Sequence, residues 1–262
     1  MTLTSPAAVH PPSRPPFDRV AYGAFILLIA ALMGSMMVAD AFRQPMRPHL
    51  VAVGVACLVV IAAAGIGPAI AFYRGDRVAI VRSITWAAGF ALPQVRPGRR
   101  AVQVGVFALL VPVVLVWVQV DYLLPVLPDL TGITPPVGVT DSRDSWYAGV
   151  PVALVVASII AGVAAEEFVF RGPGLMVWRL RDHTASRGGR ATLVVIAVVG
   201  GMALSSIGFG FLHSNYGAWN VLTAAIFGAS IYPLTLVTGS LWPAIVAHTV
   251  WNIDAFGVLN LF

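Results

Sequence analysis

The feature that most constrains this chain is the recurrence of uninterrupted apolar runs, separated by short segments that hold nearly all of its charge. A run of about 20 apolar residues has the length of a helix that crosses a hydrocarbon core. Lipid offers backbone N–H and C=O groups no partner, so such runs must close their hydrogen bonds internally, as helices do. Seven stretches read as spans: Val20–Ala39, Leu50–Tyr73, Ala101–Val120, Trp146–Arg171, Ala191–His213, Trp219–Thr238 and Leu241–Phe262. Only 10% of the 262 residues are charged, against about 25% in soluble domains. That excludes an ordinary soluble enzyme and a disordered chain. The expected fold class is an all-α polytopic membrane helical bundle, with about seven spans plus one or two interfacial or half-inserted helices.

Residues 1–17 hold Pro6, Pro11, Pro12, Pro15 and Pro16 and little that packs, so they read as a disordered tail. The run from Val20 follows Arg14 and Arg19, and Ala39-Asp40-Ala41 imitates a signal cleavage site. The run exceeds the 7–15 residues of a signal core, which favours a retained first span. The mixed stretch Arg74–Arg100 reads as an interfacial or half-inserted helix, and Leu175–Leu180 as a second such piece ending in a basic loop. The expected organisation is the tail, N-terminal membrane helices over 18–145, and a core over 146–262 that carries the chemistry.

All 16 basic residues are arginine. Six lie in Arg74–Arg100 and four in Arg179–Arg190, whereas the segment between Asp121 and Trp146 holds Asp121, Asp129, Asp141 and Asp144 against Arg143. The positive-inside rule places the first two segments in the cytoplasm and the third outside, with the N-terminus cytoplasmic. The net charge of +5 therefore orients the chain in a lipid bilayer. No basic stripe interleaved with aromatics suits a nucleic acid. Cys57 is the single cysteine and lies within an apolar run, so an intrachain disulfide and a cysteine metal cluster are excluded.

The chemistry concentrates in a few polar residues at membrane depth. The two glutamates are adjacent, Glu166 and Glu167 in AGVAAEEFVFRG. Glu167 and Arg171 stand four apart with the acid first, the favoured helical pairing. Glu166 points about 100° further round the helix, with no such local partner. Of five histidines, His213 and His248 lie in apolar context; Phe209 precedes His213 by four residues, and Asn252 follows His248 by four. A buried ion-pair knot and helix-packing histidines would be the purely structural reading. Read together, a glutamate and a histidine can hold and deprotonate a water, and a histidine–asparagine face can donate to an oxyanion. No His-Glu-x-x-His sequence, Gly-x-Ser-Gly turn or Gly-Asp pair in a span is present. Glu166, His213 and His248 also have the residue types of a two-histidine, one-carboxylate zinc site. A polar cluster serving a transporter stays open on residue types alone, although no inverted repeat is visible.

The ordered motifs Glu-Glu-x-x-x-Arg (Glu166, Glu167, Arg171), Phe-x-x-x-His (Phe209, His213) and His-x-x-x-Asn (His248, Asn252) resemble the CPBP family. That family comprises CAAX prenyl endopeptidases and bacteriocin-processing or Abi-type intramembrane proteases. The resemblance covers roughly residues 146–256 and includes the lead-in TGSLWPAIVAH. It implies a bilayer-buried active site acting on a peptide or membrane-protein substrate. In that reading Glu166 activates water, His213 positions it, His248 and Asn252 bind the oxyanion, and Glu167, Arg171 and Phe209 support the site. The expectation is a glutamate-type protease with no cofactor, the zinc-dependent version and a non-catalytic scaffold or immunity protein being the alternatives. The arginine-only, alanine-rich composition suits a high-GC bacterium and hence its plasma membrane. Gly172-Pro173-Gly174 is expected to break or kink the helix after Arg171. With the spans drawn as above, Glu166 and His213 fall at different depths. A shared site requires the first helix to continue towards Leu180, or the next to start later than Ala191.

Overall fold

The computed structural model describes residues 89–91, 102, 104–136, 150–256 and 258. The N-terminal tail, the expected spans Val20–Ala39 and Leu50–Tyr73, Cys57, and most of Arg74–Arg100 lie outside the described residues. Within them the chain is all-helical, without strands. Its elements are α1 (Gly105–Thr131), α2 (Val152–Leu180), α3 (Arg187–Leu212), α4 (Ala218–Thr238) and α5 (Trp242–Ala255). The first four are long and apolar enough to cross a membrane.

Several boundaries differ from the sequence expectation. Helix α1 runs past Val120 to Thr131, so Asp121 and Asp129 lie on the helix. Both carboxylates are exposed, while Leu127 between them packs inward. Helix α2 does not break at Pro173. It continues to Leu180, which absorbs the Leu175–Leu180 piece expected to stand alone. Proline removes one backbone donor, but packed neighbours sustain such a helix within a bundle. Leu175 and Gly174 are buried there, and Arg179 donates to the Gly239 carbonyl across the helix ends. The turn to α3 is short, because Ser186 caps the helix by accepting the Gly189 N–H at 3.0 Å. Helix α3 therefore starts at Arg187, earlier than Ala191. Of the expected span Leu241–Phe262, residues 257 and 259–262 lie outside the described residues; the described part is a 14-residue helix, Trp242–Ala255, about 21 Å long.

Helix α3 packs antiparallel to both α2 and α4. Tyr232 reaches Ala197, Gly228 lies on Ser205, and Gly210 lies on Val221, which runs α4 backwards along α3. Phe170 meets Phe209 and Gly174 meets Gly201, which sets α2 against α3 in the same sense. Lipid tails are as apolar as leucine, so association relies on close backbone approach and internal polar contacts. Tyr232 supplies both: its hydroxyl donates to the Ala197 carbonyl at 2.6 Å and lies over Gly174 and Gly201. A Cβ on either glycine would collide with the phenol. At the opposite crossing, Ser205 Oγ donates to the Gly228 carbonyl at 3.0 Å.

The radial order of polarity is that of a membrane bundle. Val195, Ile196, Val199, Ile207, Phe211 and Val237 face outward, while Glu167, Arg171, Ser205, Thr235 and His248 are buried. Of the Arg74–Arg100 segment, Gly89–Ala91 is described as a turn docked on the start of α5. The Gly89 carbonyl accepts the Leu241 N–H, the Phe90 carbonyl accepts the Trp242 indole N–H, both at 2.8 Å, and Phe90 stacks on Phe168. Gly89 has φ +82°, which a side-chain-bearing residue adopts only with strain.

Gly201→Val should cost about 1–3 kcal/mol by overpacking against Tyr232. Gly200→Val, where a Cβ meets nothing within 4 Å, should be nearly neutral. Thermal unfolding of the two variants in detergent checks the difference.

Candidate active site

Continuation of α2 through Pro173 places Glu166, Glu167 and Arg171 in the middle of a 29-residue helix. Glu167 is fully buried and bridges a guanidinium and an imidazole. Its Oε2 stands 2.6 Å from Arg171 Nη1, and its Oε1 accepts from His248 Nδ1 at 2.7 Å. The i,i+4 pair expected from sequence is present, and the contact to α5 was invisible to a reading confined to one helix. Arg171 is also fully buried, its guanidinium carbon 4.8 Å from the centre of the Phe209 ring and 5.5 Å from that of Phe227. The ring faces supply negative potential where further acceptors are missing. Arg171 Nε and Nη2 have no hydrogen-bond partner among the described residues.

Glu166 has a different environment. Its side chain is 28% exposed against 0% for Glu167, and its Oε2 lies 3.7 Å from His248 Nε2. The imidazole of His248 therefore stands between the two carboxylates, one at each nitrogen. The sequence reading left Glu166 without a local partner and matched it to His213; the structure brings His248 beside it.

A cavity of about 40 Å³ adjoins the cluster, room enough for one or two waters. Three helix faces wall it. Helix α3 contributes Phe209 and His213, α4 contributes Asn220, Thr223, Ala224 and Phe227, and α5 contributes His248, Trp251 and Asn252. The spacings are i,i+4 on α3, i,i+3,i+4,i+7 on α4 and i,i+3,i+4 on α5, each a single helical face. Glu166 is not among the lining residues; it approaches His248 from α2. His213 Nδ1–H donates to the Phe209 carbonyl at 2.9 Å, which in the neutral ring leaves the lone pair on Nε2. The edge of Phe209 meets both imidazoles, with ring centres 4.8 Å from His213 and 5.3 Å from His248.

The depth mismatch drawn from sequence is removed by the longer helices. Phe170 on α2 packs against Phe209 on α3 at 5.4 Å. One turn back along α2 is Glu166, and one turn forward along antiparallel α3 is His213, so the two share a layer. The structure thus brings His213, His248 and Asn252 to one cavity, with Glu166 beside His248. Asn220, Thr223, Ala224, Phe227 and Trp251 were not anticipated; their helical spacing was legible, but nothing local distinguished it from packing. As for the zinc alternative, no three His, Cys, Asp or Glu side chains among the described residues are placed to hold one metal ion.

The described core is a helical membrane bundle with a buried carboxylate–imidazole cluster beside a water-sized cavity. The family model described as Type II CAAX prenyl endopeptidase Rce1-like matches residues 148–253. These residues therefore carry an Rce1-like domain, in a protease family, consistent with the motif resemblance to the CPBP proteins. The match takes in α2, α3, α4 and all but the end of α5, and with them Glu166, Glu167, Arg171, Phe209, His213, His248 and Asn252. No curated protein and no solved structure matches the chain.

Removing one partner of the buried pair should be costly. Arg171→Met leaves Glu167 with an uncompensated buried charge and should destabilise by about 3–5 kcal/mol. Adding Glu167→Gln should recover part of that loss. Unfolding midpoints of the two single variants and the double variant in detergent measure the coupling.

Proposed function

We propose that this protein is an intramembrane endopeptidase that hydrolyses a peptide bond of a membrane-associated peptide or protein, using Glu166 as general base. The observation that carries this reading is the 3.7 Å approach of the half-buried Glu166 carboxylate to His248, an imidazole that also walls the cavity shared with His213 and Asn252. A water in that cavity, positioned by His213, gives a proton to Glu166 while its oxygen adds to the scissile carbonyl carbon. The carbonyl π electrons move onto oxygen. An N–H donated by His248 Nε2 and the Asn252 side-chain N–H stabilise the resulting oxyanion. Collapse of the tetrahedral species breaks the C–N bond, and the departing amine takes the proton from Glu166. Glu167 holds the His248 ring in place from the far nitrogen, and Arg171 fixes Glu167. No step as written draws on a metal or other cofactor.

The arginine-rich turn at 179–190 marks the cytoplasmic end of α2 by the positive-inside rule. The cavity lies towards the other end, near the close of α3 and the start of α4. We place the protein in a bacterial plasma membrane with its N-terminus cytoplasmic. An unprenylated hydrophobic peptide or membrane-protein segment is the favoured substrate, ahead of the prenylated CAAX tail of the family's name.

Purified protein in proteoliposomes should be assayed with two internally quenched reporters, a hydrophobic peptide and one ending in a farnesylated CAAX sequence. Glu166→Gln should abolish cleavage while leaving the unfolding midpoint near wild type. Asn252→Ala should slow turnover about 10²–10³-fold, as expected for one lost oxyanion donor. Wild-type turnover by Glu166→Gln would refute the assignment, and cleavage of neither reporter by any form would favour a non-catalytic scaffold. Prolonged treatment with a strong chelator should leave the rate unchanged; loss on chelation with recovery on added zinc would establish the metal-dependent version.

A further inference from the structure

We infer that Asn220 is a substrate-binding residue, whose side-chain oxygen accepts a backbone N–H of the peptide beside the scissile bond. The inference rests on the proposed hydrolase reading and adds a residue to it. A peptide entering the cavity between α3, α4 and α5 gives up water at every N–H and C=O that it buries. In the proposed chemistry the scissile carbonyl finds donors in His248 and Asn252, and the attacking water finds Glu166 and His213. None of these roles serves the neighbouring peptide N–H, and a buried amide donor left unmet is expensive.

The wall made by α4 offers the missing acceptor. Asn220 lies in the first turn of α4 and lines the cavity one turn before Ala224. Its Nδ2–H donates to the Tyr216 carbonyl at 2.8 Å, in the turn that precedes the helix. That bond fixes the rotation of the planar carboxamide, so Oδ1 is held at the opposite edge without the entropy cost of ordering it on binding. Thr223, buried on the same face, lines the cavity beside it, and its hydroxyl donates to the Asn220 carbonyl at 3.4 Å. Below these polar groups the wall becomes Ala224 and Phe227. The α4 face thus offers an acceptor near the start of the helix and apolar surface deeper in, the two things an extended peptide presents in alternation.

A purely structural role for Asn220, bracing the α3–α4 turn through Tyr216, predicts different behaviour, because it involves only Nδ2. The test uses whichever quenched reporter the wild type cleaves, in versions methylated at one backbone nitrogen at a time around the cleavage point. With the wild type, one of these positions should raise KM about tenfold, the size of one hydrogen bond. Asn220→Ala should raise KM for the unmethylated reporter by a similar factor with kcat within twofold, and should erase the penalty at that same position. Asn220→Asp keeps an acceptor oxygen but gives up the donor to Tyr216 that orients it, so a methylation penalty should persist at the same position, smaller than in the wild type. If Asn220→Ala does not fold, Asn220→Asp carries the test alone, and disappearance of the penalty in that variant overturns the proposal. It is equally overturned if no methylated position has a penalty that depends on Asn220. Glu166→Gln run in parallel separates the two claims. An inactive Glu166→Gln beside an unaltered Asn220→Ala defeats this inference alone, whereas an active Glu166→Gln defeats the hydrolase reading.

Discussion

The structure depends on keeping a glutamate side chain paired in a greasy interior. Glu167 is held by Arg171 at 2.6 Å on its own helix and by His248 at 2.7 Å from α5. Charges at such depth cost several kcal/mol unless they are paired and hydrogen-bonded. The pairing therefore dictates which helices must touch. His248 gives helix α5 one position against α2. The guanidinium needs cover, and Phe209 and Phe227 bring α3 and α4 to it. One buried carboxylate thus recruits a side chain from every helix of the core except α1.

Charge alone does not let helices approach closely enough to make such contacts. The approach comes from small residues placed where another helix crosses. Gly174 and Gly201 leave room for the Tyr232 phenol, while Gly228 and Ser205 let α3 and α4 touch through their backbones. The Gly172-Pro173-Gly174 sequence has the same logic. A segment that would end a helix in water is carried through, and its missing side-chain volume becomes the seat for a tyrosine from α4.

Much of the architecture was legible because hydrophobic thickness is a blunt and reliable ruler. The run ending at Thr238 closes α4 where the sequence placed it, with Gly239 in the left-handed conformation beyond it. Where the ruler misled, a second force was acting. Pro173 reads as a stop only if helix continuity is judged without neighbours. The motif residues could be found by spacing, since Glu167 with Arg171 and Phe209 with His213 are one-turn relations within single helices. The Glu167–His248 bond joins residues 81 positions apart, and no periodicity encodes it. The α4 wall shows the limit from the other side. Asn220, Thr223, Ala224 and Phe227 form an ordinary helical face, and only the cavity beside it marks that face as functional.

In the proposed mechanism the two glutamates divide the labour, and their surroundings support that reading. A base that must exchange a proton with water has to keep some access to it, whereas the group that fixes the imidazole must not change its charge during turnover. Glu166 keeps partial exposure and a looser 3.7 Å relation to His248, while Glu167 has no exposure and a short bond on each oxygen. Phe209 stands between the buried pair and the cavity, with one side towards Arg171 and an edge against both histidines. It keeps water from reaching the guanidinium and weakening the pair, and its carbonyl sets the tautomer of His213. Adjacent carboxylates of identical chemistry are thereby separated into a mobile proton acceptor and a fixed counter-charge by nothing more than a 100° turn of helix and one aromatic ring.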